Sequence, residues 1–292
     1  MPGLEQQPVA GDLFRELMQQ GIQLTAHKRV PIAPPLFSAD QSAAARQQLL
    51  DEVSGGLGWE KFSRNSVFAP VKIDLGYIRD DSGTRIGHDI HTLFIAYAPL
   101  SNLRDEDLMR EIFGTRSRQD SATTGKNTET DAAVEDLPVQ SSDVPASELE
   151  RLGISPPDPA KERYATIELP LLNTLTVRAT VRIQKREVPQ GFQLVWRVDP
   201  RFSDSEKFAN VWTKLERDAV GQAVEGPAHA YAGCGGFLSV LELDSQQNQI
   251  VVESRMIMHE PVEWFAGSNF LRSKLPTALQ ENARSFRRQL AK

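Results

Sequence analysis

The stretch LTVRATVRIQKREVPQGFQLVWRV, residues 175–198, decides the fold class of this chain. Apolar residues occupy every second position from Leu175 to Ile183, with threonine and arginine between them, which is the period of a half-buried β-strand. Residues 188–191, VPQG, then supply a turn. A second alternating run follows, so the stretch predicts two antiparallel strands joined by a tight turn. The apolar positions of that second run are Phe192, Leu194, Trp196 and Val198.

The same alternation continues on both sides of this hairpin. Downstream, residues 237–243 and 250–259 flank a polar turn at 245–248, and upstream a turn at 80–83 separates residues 71–77 from 86–97. Strands joined by short turns usually pair with their neighbours. One apolar and one polar face is typical of an antiparallel sheet with one side open to solvent. The residues predicted on the solvent side are Arg178, Arg182, Arg197, Glu242, Glu253 and Arg255.

A long amphipathic helix is predicted at the C-terminal end. Its apolar residues step by three or four positions and form one stripe, which predicts that the helix covers the apolar face of the sheet. Pro276 is expected to kink this helix or to restart it after Ser273. The fold class predicted is therefore α+β, an antiparallel sheet wrapped on a long C-terminal helix. The stripe consists of Leu271, Leu275, Leu279, Ala283, Phe286 and Leu290.

Shorter helices are predicted elsewhere. One covers residues 13–18, a second begins at a cap on Ser38 and runs through Val53, and a third covers residues 108–113. A fourth is predicted after a capping box formed by Ser203 and Glu206. Its apolar stripe would be Phe208, Val211, Trp212, Leu215 and Ala219.

Residues 115–160 interrupt the folded pattern. They are rich in serine, threonine, aspartate and proline, and they carry nine acidic and four basic side chains. Such a composition does not bury enough apolar surface to offset the entropy of ordering the chain. We therefore expect a disordered acidic insertion between residues 1–114 and 161–292, which form one domain. The insertion is also where a protein partner would bind.

Composition excludes several classes of function. The formal net charge of −6 lies almost entirely in residues 115–160, so the remainder is nearly neutral and has no electrostatic footprint for nucleic acid. Apolar runs are too short for a membrane span, and residues 1–10 do not resemble a signal peptide. The single cysteine, Cys234, is typical of a reducing compartment. We expect a cytoplasmic protein.

Three stretches near the C-terminal end carry a family resemblance. They are AYAGCGGFLSV at 230–240, VVESR at 251–255 and EPVEWF at 260–265, followed by the long helix. Together they resemble the end of a START-like domain, the helix-grip or polyketide-cyclase-like superfamily (SRPBCC). The resemblance implies an apolar cavity between sheet and C-terminal helix, used for lipids, sterols, aromatic polyketides or hydrophobic hormones. It implies no common set of catalytic residues.

Residues on the apolar positions of the strands and of the last helix are the candidates for lining such a cavity. Aromatic rings bury large apolar areas, and methionine adapts to ligands of varied shape. The candidates are Leu194, Trp196, Phe237, Met256, Met258, Leu275 and Leu279.

Few residues suggest catalysis or metal binding. His88 and His91 are three apart on a predicted strand, so they point to opposite faces and do not share a metal ion. Cys234 lies between glycines, either as a nucleophile on a turn or as a small core residue where the strand bends. We expect neither a metal nor a cofactor.

One further set of polar residues remains ambiguous. Glu253, Arg255 and His259 alternate onto one face of a strand. They would act as acid and base if they faced a cavity, and as cross-strand ion pairs if they faced outward. Polar residues on the neighbouring strands favour the outward orientation.

The leading hypothesis is that the chain binds a hydrophobic small molecule by burying its apolar surface. A cyclase, dehydratase or hydrolase acting in the same cavity is the second hypothesis. The third is a non-catalytic interaction scaffold that uses the acidic insertion.

Overall fold

The structure is a computed structural model that describes residues 12–38, 40–54, 56–104, 140–172, 174–217, 223–266 and 268–290. Its helices are α1 (Leu13–Gln19), α2 (Ala43–Val53), α3 (Trp59–Phe62), α4 (Ala146–Arg151), α5 (Val262–Phe265) and α6 (Phe270–Leu290). Its strands before residue 190 are β1 (Ile22–Thr25), β2 (Lys28–Val30), β3 (Lys72–Arg79), β4 (Arg85–Tyr97), β5 (Gln140–Asp143), β6 (Glu162–Leu171) and β7 (Leu175–Val188). The later strands are β8 (Gly191–Val198), β9 (Val211–Arg217), β10 (Ala223–Glu225), β11 (His229–Ala230), β12 (Cys234–Asp244) and β13 (Gln249–His259).

The main sheet is antiparallel throughout, as the alternating pattern predicts. Its strand order is β10-β9-β7-β8-β12-β13-β4-β3, with β5, β6 and β11 attached beside this path. The hairpin predicted from residues 175–198 is confirmed, since β7 and β8 pair from Val181 opposite Val198 to Val188 opposite Gly191. The sheet is therefore built outward from this hairpin.

The predicted helix over residues 208–219 is wrong, because residues 211–217 form strand β9. The first half of β7 lies beyond the end of β8, so its backbone groups need another partner. Strand β9 provides it, with Val177 opposite Trp212 and Leu175 opposite Lys214. Val211, Trp212 and Thr213 also have high strand propensity. Their pairing with the open edge of β7 satisfies backbone hydrogen-bonding groups, and this outweighs the helical spacing of the apolar residues.

The last helix runs unbroken from Phe270 to Leu290 with Pro276 inside it, so the predicted restart after Ser273 is not observed. Its C-terminal half is anchored by Arg287, which is 6% exposed. The Arg287 guanidinium donates to the carbonyls of Ile95 at 2.9 Å and Ala69 at 2.6 Å. Burial lowers the pKa of Arg287 to about 10. These bonds fix the helix against β4 and the chain that precedes β3.

Both faces of the sheet are covered, which corrects the expectation of a solvent-exposed polar face. The inner face packs against α5 and α6. The outer face packs against the N-terminal elements α1, β1, α2 and α3. Arg182 and Glu253, predicted to be exposed, are consequently 3% and 2% exposed. Arg182 pairs with Glu162 at 2.9 Å beneath α1.

Helix α2 begins after Ser42 rather than at the predicted cap on Ser38. The Ser42 hydroxyl accepts a hydrogen bond from the Ala45 amide at 3.2 Å, which satisfies one of the free N–H groups of the first turn. The predicted helix over residues 108–113 lies outside the described residues.

Part of the predicted acidic insertion is folded. Strand β5 pairs with β6, with Asp143 opposite Ala165, and α4 follows it. Val144, Leu149 and Ile154 are buried against Tyr164. The expectation of disorder therefore fails for residues 140–160, while residues 115–139 lie outside the described residues. Within the described part of the chain, no helix has the length and apolarity needed to cross a membrane.

Candidate functional site

One row of inner-face residues crosses the sheet in register. Successive strands place Ile183 opposite Trp196, Trp196 opposite Gly236 and Gly236 opposite Met256. The row continues from Met256 to Ile90 and from Ile90 to Leu75. The side chains of this floor row are apolar apart from the indole N–H of Trp196, which is the hydrogen-bond donor of the row.

Gly236 is the centre of the floor row. A β-carbon at this position would lie 2.3 Å from the Arg255 carbonyl oxygen, so the close approach of β12 to β13 requires glycine. The close approach at Gly236 favours a backbone role for glycine in this stretch, one of the two alternatives that the sequence left open.

Helix α6 lies above the floor row. Leu275 and Leu279 pack against the same cluster as Trp196 and Met256. All four are only partly buried, although Trp196 and Met256 lie on strands inside the sheet. A partly exposed apolar residue on an inner strand means that solvent reaches the space between sheet and helix. We call this space the apolar groove.

Two predicted residues border the groove without lying in the floor row. Met258 is 4% exposed and belongs to the same cluster. Leu194 packs in the next cluster, where Ala283 and Phe286 of α6 close the space over the sheet. The groove therefore ends toward Phe286.

Phe237 lies on the opposite face of the sheet from the other predicted residues. It is fully buried against Val195, Ile257 and the N-terminal elements, with its ring centre 6.4 Å from that of Phe14. Alternation puts Phe237 one position from Gly236 and therefore on the outer face. The prediction that Phe237 lines the groove is therefore wrong.

An aromatic wall closes the groove near α5. The Trp264 ring stacks on Tyr231 with centres 5.8 Å apart and meets Trp212 edge to face at 6.1 Å. Trp264 is 3% exposed, and its indole N–H has no hydrogen-bond partner among the described residues. A buried donor of this kind stabilises a polar atom that approaches it. The sequence did not single out Trp264, although the EPVEWF stretch contains it.

The sequence left two alternatives open for Cys234, a nucleophile on a turn or a small core residue. In the structure Cys234 is buried, as a core residue is. Burial raises the pKa of its thiol to about 12 and raises the pKa of the neighbouring Tyr231 hydroxyl well above its usual value. Because the thiolate is the nucleophilic form, such a thiol is inert at neutral pH.

We expect Cys234 to resist alkylation in the folded protein. Iodoacetamide at mildly alkaline pH should leave the native protein unmodified and label it fully in guanidinium chloride, as read by intact mass. Rapid native labelling would show that the thiol is accessible and ionised, which its burial contradicts.

A buried acid–base pair borders the groove beside Met258. His88 is fully buried and hydrogen-bonds through Nε2 to the Glu260 carboxylate. Glu260 also accepts from Arg85 at 2.9 Å. The Nδ1 atom of His88 has no hydrogen-bond partner among the described residues. Spacing alone did not identify this pair, because Glu260 follows the end of β13.

The polar residues on β13 do not form a catalytic group in the groove. Glu253 lies on the outer face, where it accepts from the Leu36 amide at 2.8 Å and from His91 at 3.0 Å. Arg255 pairs with Asp89 at 2.6 Å, an outward ion pair of the kind expected. His91 on the outer face and His88 on the inner face confirm the predicted divergence of these histidines.

His259, at the end of β13, lies on the same face as Glu253 and Arg255, because alternate residues of a strand share a face. Burial lowers its pKa to about 4, so the imidazole is neutral near neutral pH. Its ring centre is 5.9 Å from that of Tyr231. It packs as an aromatic ring and carries no proton for an acid step at that pH.

No family model matches this chain, and no curated protein matches it. Solved structures similar to it include the following two. One is human STARD10, 8% identical with a TM-score of 0.38, covering 90% of this chain and 83% of that chain. The other is CalU16 from Micromonospora echinospora, 11% identical with a TM-score of 0.22, covering 76% of this chain and 99% of that chain.

Likenesses this distant carry no information about a ligand. The antiparallel sheet around a long C-terminal helix is itself the START-like, helix-grip arrangement that the sequence resemblance predicts.

Proposed function

We propose that the chain binds a hydrophobic small molecule, lipid-like or polyketide-like, in the apolar groove. The observation that supports this most directly is the partial exposure of Trp196 and Met256 on inner strands beneath α6. A core that only served packing would bury these side chains, since each square ångström of apolar surface removed from water contributes about 25 cal/mol. A ligand lying on the floor row removes that surface instead.

The groove suits a ligand that is apolar along most of its length. The side chains of the floor row are apolar apart from the indole N–H of Trp196. The unpaired indole N–H of Trp264 suits a single carbonyl or hydroxyl oxygen that would orient the ligand. The proposal is for binding without catalysis, in the cytoplasm, as the single cysteine leads us to expect.

The substitution Met256→Trp tests the groove by filling it. Wild-type protein should gain about 5 °C in melting temperature with a saturating apolar ligand from a panel of fatty acids, sterols and polyketides. Met256→Trp should keep the fold and lose most of that gain, because the larger side chain fills part of the space between the floor row and α6. Thermal melts with and without the panel provide the measurement, and native extraction with mass spectrometry identifies any co-purified ligand.

Met256→Leu is the matched control, since it nearly conserves volume and should bind like the wild type. If Met256→Trp unfolds the chain and no compound shifts the wild-type melting temperature, the space is a packed core. Ligand binding would then be excluded.

A further inference from the structure

Three arginines surround one tyrosine beside the groove. The guanidinium carbons of Arg272, Arg85 and Arg79 lie 4.4, 5.2 and 5.7 Å from the centre of the Tyr77 ring. They come from the first turn of α6, from β4 and from β3, so the tertiary fold brings them together. Contact with the ring face stabilises each cation, but it does not cancel their mutual repulsion.

Acidic groups do not balance this charge. Arg85 pairs with Glu260 at 2.9 Å, and that carboxylate is also engaged by His88. Arg79 donates to the Gly83 carbonyl at 2.7 Å. Within the described ranges, neither Arg79 nor Arg272 lies at ion-pair distance from a carboxylate. The group therefore carries an excess of positive charge that an additional anion would neutralise.

Tyr77, Arg79 and Arg85 line an open cleft of about 280 Å³, and Arg272 lies against the Tyr77 ring beside it. Tyr77 donates to Asn269 Oδ1 at 2.8 Å, and Arg85 donates to the same oxygen at 3.1 Å. The shared acceptor holds the arginine and the tyrosine in place. The first turn of α6 adds the positive end of the helix dipole. The lining residues are Tyr77, Arg79, Thr84, Arg85, Glu260, Val262 and Asn269.

We propose that this arginine cleft binds an oxyanion of the phosphate type. Planar guanidinium groups donate paired hydrogen bonds to phosphate oxygens, and their charge makes those bonds about twice as strong as neutral ones. A bare carboxylate or sulfate shares part of this chemistry. The number of arginines favours phosphate over a carboxylate, because phosphate carries more charge and more acceptor oxygens than a carboxylate does.

The cleft adjoins the apolar groove. Cys234, Met258, His88 and Tyr77 form the register row next to the floor row, so Tyr77 lies one row from Leu75. The phosphate group could thus belong to a free phosphate ester or to the head of an amphipathic molecule whose chain lies in the groove. Oxyanion binding does not depend on the proposed function, whereas the amphipathic case rests on it.

Arg79→Gln provides the test, with Arg288→Gln as its control on the exposed side of α6. Isothermal titration with inorganic phosphate should show saturable binding to the wild type. The affinity should fall about tenfold or more in Arg79→Gln and stay unchanged in Arg288→Gln. Arg272→Gln, which removes the neighbouring charge, replaces Arg79→Gln if the latter shows a lowered melting temperature.

Parallel titrations with octyl phosphate and octanol separate the two sources of the anion. Octyl phosphate that binds more tightly than both phosphate and octanol would support an amphipathic ligand spanning cleft and groove. If phosphate binds, octanol does not, and the octyl chain adds nothing to the affinity, a free phosphate ester is the supported ligand. That result would count against the apolar groove and leave the arginine cleft standing. Absence of phosphate binding, or equal loss in Arg79→Gln and Arg288→Gln, would overturn the proposed anion site even if octanol binds.

Discussion

Phe286→Ala is expected to lower the free energy of unfolding by about 3–5 kcal/mol. Phe286 is 6% exposed and meets Phe94 of β4 edge to face, with ring centres 5.5 Å apart. Its neighbour Arg287 ties the same turn of the helix to the backbone of β4, which prevents the helix from collapsing into the cavity left by the ring. Urea denaturation followed by circular dichroism measures the loss.

Phe270→Ala is the matched control on the same helix, because Phe270 is 40% exposed. It should change the free energy of unfolding by less than about 1 kcal/mol. A loss below about 1 kcal/mol for Phe286→Ala as well would mean that α6 is peripheral. The groove would then have no rigid wall, and the proposed function would lose its structural basis.

Strand alternation predicted the centre of the sheet because the β7–β8 hairpin and the β12–β13 hairpin are local structures. Their residues pair with neighbours only a few positions away across short turns, so pattern and turn chemistry are sufficient. Strand β9 was missed because its pairing with β7 is not local. The free edge at Leu175–Arg178 exists only because β8 ends at Val198. The sequence of residues 208–219 does not indicate that this edge is available for pairing.

The sequence predicted which residues lie on the inner face wherever the pattern of a strand distinguishes its two faces. Alternation correctly grouped Trp196 with Leu194, and Met256 with Met258, because these strands have distinct faces. It failed for Phe237, where the run GGFLSVLEL is apolar on both sides. Such continuous apolar runs indicate a strand buried on both faces, and that signal was available.

Composition misjudged the second half of the acidic insertion. Averaged over residues 115–160, the charge and the proline content outweigh the apolar residues. The spaced apolar side chains Val144, Leu149 and Ile154 nevertheless find a partner surface on Tyr164 and Phe208. That surface is assembled only in the folded protein, so a local average does not contain it.

Glu253 shows that a local sequence pattern also misjudges the burial of polar residues. Its replacement is expected to give the second large loss of stability. The sequence placed Glu253 on a solvent-exposed face, whereas the N-terminal segment covers it to 2% exposure. Its oxygens accept from the amides of Leu36 at 2.8 Å and Phe37 at 3.3 Å, and from His91 at 3.0 Å. This one side chain holds the start of the α2–α3 layer against the outer face of the sheet.

Glu253→Ala is therefore expected to lower the free energy of unfolding by about 3–5 kcal/mol, the usual cost of removing one partner from a buried ionic network. It removes the acceptor of the part-buried Leu36 amide, the buried Phe37 amide and the His91 imidazole, and each buried group left unsatisfied costs about 1–3 kcal/mol. Urea denaturation measures the global loss. Hydrogen exchange at the Leu36 and Phe37 amides measures the local one, and protection there should fall before the β12–β13 hairpin is affected.

Two variants separate the carboxylate from its surroundings. Glu253→Gln keeps one oxygen acceptor for the amides and should lose less stability than Glu253→Ala. Asp74→Ala removes an exposed acid that lies 3.7 Å from the same histidine and should change stability by less than about 1 kcal/mol. If Glu253→Ala behaves like Asp74→Ala and the two amides stay protected, apolar packing alone holds the N-terminal layer. The buried carboxylate would then be tolerated in the interface without organising it.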